Sequence, residues 1–486
     1  MHSQGMQIQG VATTGIYCRA DCRARPAKKN VRPMPNVIAA LAQGYRPCLV
    51  CRPDRLPDLG LAYTSAGVAT ALRLIVDGFL DEHSAEDLAT RVGCSSRQLL
   101  RLFEQEVGAS PDFVARACRA HMARRLLDES DLKVTEIAFA AGFQSIRQMN
   151  RVMRELFGFA PSELRRKRRR GDVLHALDGG LRLRVPYRGV FDGNRMIGYL
   201  ASRAIPGVEE VVGDCYRRTI NTCGHPGVVE VRDTNDGRHL EVTLHLATFA
   251  SVLEQVRRVR SMFGLTRDDA DAEPALRRDK RLGKWLKRAP GLRMPGAFDP
   301  FETSIRVLVG QQVSVAGAST VCGRIVDRLG QRIEAPLSGS LHSLFPTANA
   351  IAAADPSVLD MPRARANAII GFAQAVATGE LDLYRRDDLE TTRNKLTAMK
   401  GIGPWSADLI AARVFDHADA FPAGDLGLRK GATVVLGKDV HDRDQILTQR
   451  QVEQLAESWR PWRTTAAAYL WMSVTTPAKV KGSVMS

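Results

Sequence analysis

The chain of 486 residues contains no run of about 18 apolar residues, and aromatic side chains make up only 6% of it. A membrane-spanning helix requires such a run, so the sequence predicts no segment that crosses a bilayer. The first residues, MHSQGMQIQG, also lack the basic and then apolar pattern of a secretory signal peptide. We therefore expect a cytoplasmic protein, in which cysteines serve as metal ligands, nucleophiles or buried thiols more often than as disulfides.

Acidic residues are scarce relative to basic ones, with 53 Asp and Glu against 69 Lys and Arg and a net charge of +16. An excess of positive charge this large favours a polyanionic partner, either nucleic acid or an anionic surface. Hydrophobic residues at 44% and charged residues at 25% are ordinary for a globular protein and exclude wholesale disorder. At about 100–200 residues per domain, the length predicts three or four domains.

Four of the nine cysteines fall within the first 51 residues, as the pairs Cys18 and Cys22, then Cys48 and Cys51. The spacing is C-x3-C, an interval of residues 23–47, and C-x2-C. Two such pairs brought together provide four thiolates in the tetrahedral arrangement that zinc prefers. On spacing alone, the commoner interpretation is a closed zinc site that only stabilises a small domain.

The segment 13–54, TTGIYCRADCRARPAKKNVRPMPNVIAALAQGYRPCLVCRPD, resembles the zinc-bound methyl-acceptor domain of Ada-type adaptive-response proteins. The resemblance implies one Zn²⁺ held by Cys18, Cys22, Cys48 and Cys51. It also implies that Cys18 is the nucleophile that irreversibly takes a methyl group from a DNA phosphotriester. Zinc holds a thiol as the thiolate, which is the form that attacks carbon.

Residues 65–165 show helical periodicity interrupted twice by glycine turns. Ser84 and Ser95 are predicted to cap the two helices of a first helix-turn-helix unit, and Ser145 opens the last helix of a second unit. An ordinary helical bundle with a polar face is the alternative for one such unit alone. The second unit presents residue types that reach bases and phosphates, namely Arg147, Gln148 and Arg151.

The tandem arrangement resembles the paired helix-turn-helix module of AraC-type regulators. It implies promoter binding, with RNA polymerase as a further partner of the activator. The basic run Arg165–Arg170 closes the module. Runs of this kind are usually solvated, so we expect a linker at this domain boundary.

Beyond residue 171 the pattern changes to alternating strands followed by one amphipathic helix, which predicts a small α+β domain over about residues 173–265. The run 186–211, PYRGVFDGNRMIGYLASRAIPGVEEV, resembles the N-terminal domain of AlkA-type 3-methyladenine DNA glycosylases. From about residue 290 onward the sequence predicts helices almost throughout. We therefore expect an all-α domain in the last part of the chain.

The chemistry in this helical part lies in the run 396–405, LTAMKGIGPW, which predicts a helix, a turn and a second helix. Gly401 and Gly403 allow the backbone to approach a phosphate closely, with N–H groups at the next helix start facing the anion. A glycine turn between packed helices is the alternative. Asp425 follows 24 residues after Gly401, and an aspartate at a helix start is often just an N-cap.

Together with the runs 290–318 and 457–471, these residues resemble the helix-hairpin-helix, Gly-Pro-Asp superfamily of DNA glycosylases, and AlkA in particular. The resemblance implies that Asp425 is the catalytic carboxylate, that Trp405 and Trp471 form the pocket for an alkylated base, and that Gln312 wedges into the duplex. Trp405 stands where lyase relatives carry lysine, which implies a monofunctional glycosylase. No cysteine follows Cys322, which excludes the iron–sulfur cluster of some relatives.

These patterns predict a multidomain protein. Its expected parts are an Ada-like zinc domain (1–60), an all-α double helix-turn-helix domain (61–170), an α+β AlkA N-terminal-like domain (171–290) and an all-α helix-hairpin-helix glycosylase domain (291–486). The expected partner is double-stranded DNA with alkylated bases, methylphosphotriesters or promoter sites, and no membrane. No P-loop is present, so no nucleotide cofactor is expected. The alternatives are a glycosylase, or a plain AraC-type DNA-binding regulator, whose zinc site is only structural.

Overall fold

A computed structural model of the chain describes residues 7–24, 26–55, 65–76, 78–169, 172–174, 180–222, 224–266, 271–333, 339–384 and 387–475. The chain forms two compact units. Residues 1–188 and 217–259 make up the first, and residues 189–216 and 260–486 make up the second. Within the described ranges, no helix is both long enough and apolar enough to cross a membrane.

The first unit begins with a four-stranded sheet and one short helix. Its elements are β1 (Ile8–Val11), β2 (Ile16–Arg19), β3 (Val31–Met34), α1 (Val37–Ala42) and β4 (Arg46–Pro47). The strand order is β3-β1-β2-β4, with β1 antiparallel to both of its neighbours and β2 parallel to β4. Gln9 lies opposite Cys18, so β1 supports the strand that carries the first cysteine.

The described part of the helix-turn-helix region contains eight helices. They are α2 (Ala66–Val76), α3 (Phe79–Glu82), α4 (Ala85–Arg91), α5 (Ser96–Glu106), α6 (Pro111–Glu129), α7 (Val134–Ala140), α8 (Ile146–Phe157) and α9 (Pro161–Arg166). The predicted caps are confirmed, because the side chains of Ser84, Ser95 and Ser145 accept backbone N–H groups at the starts of α4, α5 and α8. The pairs α4–α5 and α7–α8 are thus two helix-turn-helix units, joined by the long helix α6.

The basic run is held to the fold at two positions, although Arg166, Lys167 and Arg169 are exposed as expected for a solvated run. The Arg169 guanidinium donates hydrogen bonds to the carbonyl oxygens of Leu49 and Val50, at 3.1 and 3.2 Å, and Arg168 pairs with Asp131 at 2.7 Å. Leu49 and Val50 are the two residues between the cysteines of the C-x2-C pair. Arg169 therefore anchors the run to the turn Cys48–Cys51, called the cysteine turn below, because its guanidinium group satisfies two backbone carbonyls there.

A buried ionic cluster lies directly beneath this contact. Arg52 pairs with Asp172 at 2.5 Å and with Asp128 at 3.6 Å, while Arg124 pairs with Asp128 at 3.2 Å and with Asp54 at 3.8 Å. None of these side chains is more than 10% exposed. Arg52 follows the last cysteine, so the cluster ties the cysteine turn to helix α6 and to the segment after the basic run.

The α+β segment contains one helix between strands and one after them. Its elements are β5 (Leu181–Pro186), α10 (Gly193–Ala201), β6 (Glu209–Val212), β7 (Cys215–Thr222), β8 (His225–Asp233), β9 (His239–His245) and α11 (Val252–Met262). Strands β5, β9, β8 and β7 are neighbours in that order, and β9 is antiparallel to β5 and β8. The alternating leucines and valines face inward, which confirms the strands predicted from their period.

The second unit is dominated by helices, as predicted. Besides α10, they include α12 (Ala272–Leu276), α13 (Lys280–Arg288), α14 (Pro300–Val309), α15 (Val315–Leu329), α16 (Ala348–Ala352), α17 (Arg363–Ala377), α18 (Leu389–Thr397), α19 (Pro404–Arg413), α20 (Leu426–Val435), α21 (Gln449–Ala456) and α22 (Arg463–Thr475). One apolar core joins α14, α15, α17 and α19, and a second joins α13, α20, α21 and α22. Trp405 packs on the first core and Trp471 on the second.

Candidate active site and zinc centre

The hairpin turn lies between α18 and α19, as the sequence predicts. Gly401 has φ of +85°, and a Cβ there would lie 2.5 Å from the Cβ of Ala368. Gly403 is the N-cap of α19 with φ of −90°, and a Cβ there would meet no atom within 4 Å. The fold therefore requires glycine at position 401 but not at position 403, which is open to solvent.

Asp425 caps helix α20 and also receives two indole N–H groups. Its Oδ1 accepts hydrogen bonds from the backbone N–H of Leu428 and from Trp471 Nε1, both at 2.8 Å. Its Oδ2 accepts a hydrogen bond from Trp405 Nε1 at 3.0 Å. The three residues singled out in the sequence are thus in contact, and each carboxylate oxygen has at least one donor that fixes its orientation.

This contact joins the two helical cores of the second unit. Trp405 lies on α19 and Trp471 on α22, and both indoles are half-buried. Helix α20 approaches α22 closely at Gly431, where a Cβ would lie 2.2 Å from the carbonyl oxygen of Leu470. At Gly427 a Cβ would lie 3.0 Å from both Asp425 Oδ1 and Trp471 Cδ1. These two glycines were missed in the sequence, although their spacing of four residues on one helix face was a usable signal.

The loop between α14 and α15 projects beside the hairpin. Gln312 is exposed and has φ of +58°, a strained conformation for a residue with a Cβ. Its neighbour Gln311 uses one side-chain nitrogen to donate to the carbonyl oxygen of Gly401 at 3.1 Å and to Ser406 Oγ at 2.8 Å. Gln311 was also missed in the sequence, and it holds the Gln312 loop at a fixed position relative to the hairpin.

In the first unit, the four cysteines predicted as ligands converge. The sulfur atoms of Cys18, Cys22, Cys48 and Cys51 all lie within 4.8 Å of one another. Zinc with bonds of about 2.3 Å to sulfur places its tetrahedral ligands about 3.8 Å apart, so the cluster fits with a small contraction. Backbone N–H groups point at three of the sulfurs, at 3.4–3.5 Å.

The four thiols influence one another's pKa values. A hydrogen bond from Cys18 lowers the pKa of Cys51 to about 5, whereas the same bond and burial raise the pKa of the Cys18 thiol. A zinc ion among the sulfurs would oppose this effect, because a bound cation stabilises the thiolate form. Cys18 is also 2% exposed, while Cys51 is half-buried.

On the second helix-turn-helix unit, the predicted contact residues lie at the start of α8. Arg147 and Arg151 are exposed. Gln148 is half-buried, and its side-chain oxygen accepts the backbone N–H of Gln144 at 3.1 Å. The arrangement leaves the two arginines projecting into solvent from one helix face.

Four family descriptions match the chain in succession. They are "Metal binding domain of Ada" at residues 2–54, "Helix-turn-helix domain" at 88–167, "AlkA N-terminal domain" at 182–299 and "HhH-GPD superfamily base excision DNA repair protein" at 305–461. The fold and both sites agree with these matches. The class is thus a helix-hairpin-helix DNA glycosylase joined to an Ada-type metal-binding domain and a helix-turn-helix domain.

A relative with the same span is the "Probable bifunctional transcriptional activator/DNA repair enzyme AlkA" of Mycobacterium tuberculosis, 37% identical over 97% of this chain and 94% of that protein. The chain belongs to this family. The "DNA-3-methyladenine glycosylase 2" of Escherichia coli is 31% identical over 58% of this chain and 93% of that protein. The fold resembles the "3-methyladenine dna-glycosylase from Archaeoglobus fulgidus", with a TM-score of 0.51 at 21% identity, covering 60% of this chain and 97% of that one.

Proposed function

We propose that this protein repairs alkylated DNA and regulates transcription, and that its second unit is a monofunctional glycosylase for alkylated purines of the 3-methyladenine and 7-methylguanine class. The observation that carries the proposal is the contact of Asp425 with Trp405 and Trp471 beside the hairpin. A carboxylate held between two indoles provides a negative charge and aromatic faces in one place. Those are the features needed to bind a cationic base and cleave its bond to the sugar.

In the proposed reaction, the alkylated base is flipped out and stacks on an indole face. Alkylation has already placed positive charge on the base, so the base leaves without a strong general acid. Asp425 stabilises the positive charge that develops on the sugar and orients the attacking water. The C–N bond breaks, water supplies the new C–O bond and its proton is released, which leaves an abasic site.

The hairpin and the Gln312 loop between α14 and α15, called the wedge loop below, position the duplex in this scheme. The N–H groups at the start of α19 face a phosphate, and the open side of Gly403 lets the backbone approach it. Gln312 fills the space that the flipped nucleotide leaves. The tryptophan at position 405 offers no amine for a Schiff base, which supports hydrolysis without strand cleavage.

We propose that the first unit senses methylated phosphate groups. One Zn²⁺ on the four cysteines would hold them as thiolates at neutral pH. The Cys18 sulfur then attacks the methyl carbon of a phosphotriester, so an S–C bond forms, the C–O bond breaks and a phosphodiester anion leaves. Four thiolates with one zinc ion carry a charge of −2, and methylation reduces it to −1. The repulsion between this site and DNA phosphate therefore falls.

The helix-turn-helix units would use that gain in affinity at a promoter. Arg147, Gln148 and Arg151 are proposed to contact DNA, and RNA polymerase is the proposed further partner. Such a protein works on the chromosome, so we place it at the nucleoid. The bounds proposed for the four functional regions are 1–60, 61–170, 171–290 and 291–486.

The glycosylase proposal is tested by measuring base release from duplex DNA that carries labelled 3-methyladenine. Asp425→Asn keeps a side chain that caps helix α20 but removes the charge. We expect a loss of about 10²–10³ in excision rate, the scale for one electrostatic contact to a transition state. Asp388→Asn is the matched control, because Asp388 caps helix α18 in the same way. Excision by Asp425→Asn at the control's rate would refute the assignment.

A zinc site with a structural role only is the second candidate for the first unit, and the 2% exposure of Cys18 favours it. Duplex DNA with labelled methyl phosphotriesters distinguishes the two. Label on Cys18, mapped by peptide mass, supports the sensor. Label on the more exposed Cys51 would move the acceptor role there. No label on zinc-loaded protein would leave the structural role.

A further inference from the structure

Helix α13 carries a dense array of positive charge in the second unit. Five of its nine residues are Lys or Arg, and the helix contains no acidic residue. All five are exposed. They are Lys280, Arg281, Lys284, Lys287 and Arg288. We call these five residues the α13 basic face.

The opposite side of α13 fixes the orientation of this face. Leu282, Trp285 and Leu286 are buried in the same core as α20 and α22, the helices of Asp425 and Trp471. Asp279 caps α13 and accepts a hydrogen bond from Trp459 Nε1 at 3.1 Å. The basic face is therefore rigidly attached to the catalytic core rather than carried on a loop.

The fold gains little from the charges at the start and middle of this face. Lys280 and Lys284 are four residues apart on one face, as are Lys284 and Arg288, and like charges at this spacing destabilise a helix. Lys280 and Arg281 also lie at the helix start, where the dipole disfavours cations. A stable helix alone would favour acidic residues at those positions. The charges are thus explained better by an external anion.

The three lysines are the part of the face that is available to such an anion. Arg281 pairs with Asp279 at 3.4 Å, and the Arg288 guanidinium lies 4.7 Å from the centre of the Trp285 ring. Among the described residues, Lys280, Lys284 and Lys287 form no ion pair. The first and last of them lie about 10 Å apart along the helix axis, so they can reach more than one phosphate of a duplex.

We propose that the α13 basic face is a second contact surface for duplex DNA, separate from the hairpin, which binds phosphates whether or not the DNA is damaged. Lysine suits this role because it is a flexible point charge that reads no sequence. The surface would keep the glycosylase on DNA between base-flipping attempts. This inference rests on the proposed action of the chain on DNA.

The test uses the full chain with Lys280→Gln, Lys284→Gln and Lys287→Gln combined. The matched control removes three exposed charges elsewhere in the same unit, as Lys438→Gln, Arg443→Gln and Arg450→Gln. Affinity for an undamaged 30-base-pair duplex of random sequence is measured by fluorescence anisotropy over a series of KCl concentrations. The slope of log K against log [KCl] reports the number of phosphates contacted.

We expect the lysine variant to lose about two to three units of slope and at least tenfold in affinity at low salt. The control should lose less than one unit. An unchanged slope in the lysine variant, or an equal loss in the control, would overturn the proposal. Excision at saturating enzyme is measured in parallel. If the wild-type protein excises no base, the proposed function is refuted. If excision persists and the lysine variant keeps the wild-type salt slope, only the second DNA surface is refuted.

Discussion

Replacing each of the two hairpin glycines by alanine should have opposite effects. One replacement should lower stability, and the other should weaken DNA binding. Gly401→Ala places a Cβ 2.5 Å from the Cβ of Ala368 and forces alanine into a left-handed conformation, with φ of +85°. Gly403→Ala adds a Cβ at φ of −90°, and beyond its two chain neighbours no atom of the described residues lies within 4 Å of it. The same one-carbon change therefore tests the fold at one position and the ligand contact at the other.

The magnitudes follow from these contacts. The left-handed conformation costs a residue with a Cβ about 1–2 kcal/mol, and overpacking adds about 1–3 kcal/mol. Gly401→Ala should therefore lower the free energy of unfolding of the second unit by about 2–5 kcal/mol. At Gly403, alanine restricts the unfolded chain, which stabilises the fold by about 0.4–1 kcal/mol, but it is a poorer N-cap by a similar amount. The two effects nearly cancel.

Urea unfolding of the full-length variants, followed by Trp fluorescence, measures the first effect. Anisotropy with a duplex measures the second. We expect Gly403→Ala to unfold like the wild type but to bind duplex at least tenfold more weakly, because its new methyl group occupies the approach of a phosphate. Wild-type affinity for Gly403→Ala would refute close backbone contact at the hairpin. Wild-type stability for Gly401→Ala would refute the packing against Ala368.

Three further outcomes are expected. Gln311→Ala should slow excision about tenfold in single-turnover assays with saturating DNA. The reason is that two hydrogen bonds that set the spacing of the wedge loop and the hairpin are lost. An effect on DNA affinity alone would contradict this. Trp471→Phe keeps an aromatic face but removes one hydrogen-bond donor to Asp425. Excision should therefore fall about tenfold, while the urea midpoint of unfolding stays close to that of the wild type. Full activity would show that this donor is dispensable. Removing zinc from metal-loaded protein with a chelator should lower the melting temperature of the first unit and leave excision intact, and a scan with no change would exclude a structural metal.

Much of the fold was predictable because local signals were strong. Serine caps and glycine turns marked both helix-turn-helix units, and alternating leucines and valines marked the strands from 181 to 245. The first strand was not apparent. Ile8–Val11 lies in a segment rich in Gln and Gly, and it becomes a strand because its two neighbours supply hydrogen bonds on both sides. No local pattern encodes such pairing.

The candidate site was predictable in its charged and aromatic residues but not in its supporting ones. Asp425, Trp405 and the cysteines carry chemistry that their residue types reveal. Gln311 and Gly431 only position other groups. Gln311 links the wedge loop to the hairpin, and Gly431 lets helices α20 and α22 approach each other. Their roles depend on contacts between segments that are distant in sequence, and a period or a spacing within one segment does not report them.

The ionic cluster beneath the cysteine turn limits how this protein can be rearranged. Arg52 comes from the zinc region and Asp128 from α6, while the Asp172 carbonyl accepts a hydrogen bond from Arg184 on strand β5, at 3.3 Å. Removing one partner from a buried ion pair costs about 3–5 kcal/mol, because the remaining charge is left in the interior. A chimera that replaces only residues 1–60 would therefore take Arg52 away from Asp128 and Asp172, and Asp54 away from Arg124. The zinc region and the helix-turn-helix region look exchangeable in sequence, but their buried charges neutralise one another. They must therefore be transferred together.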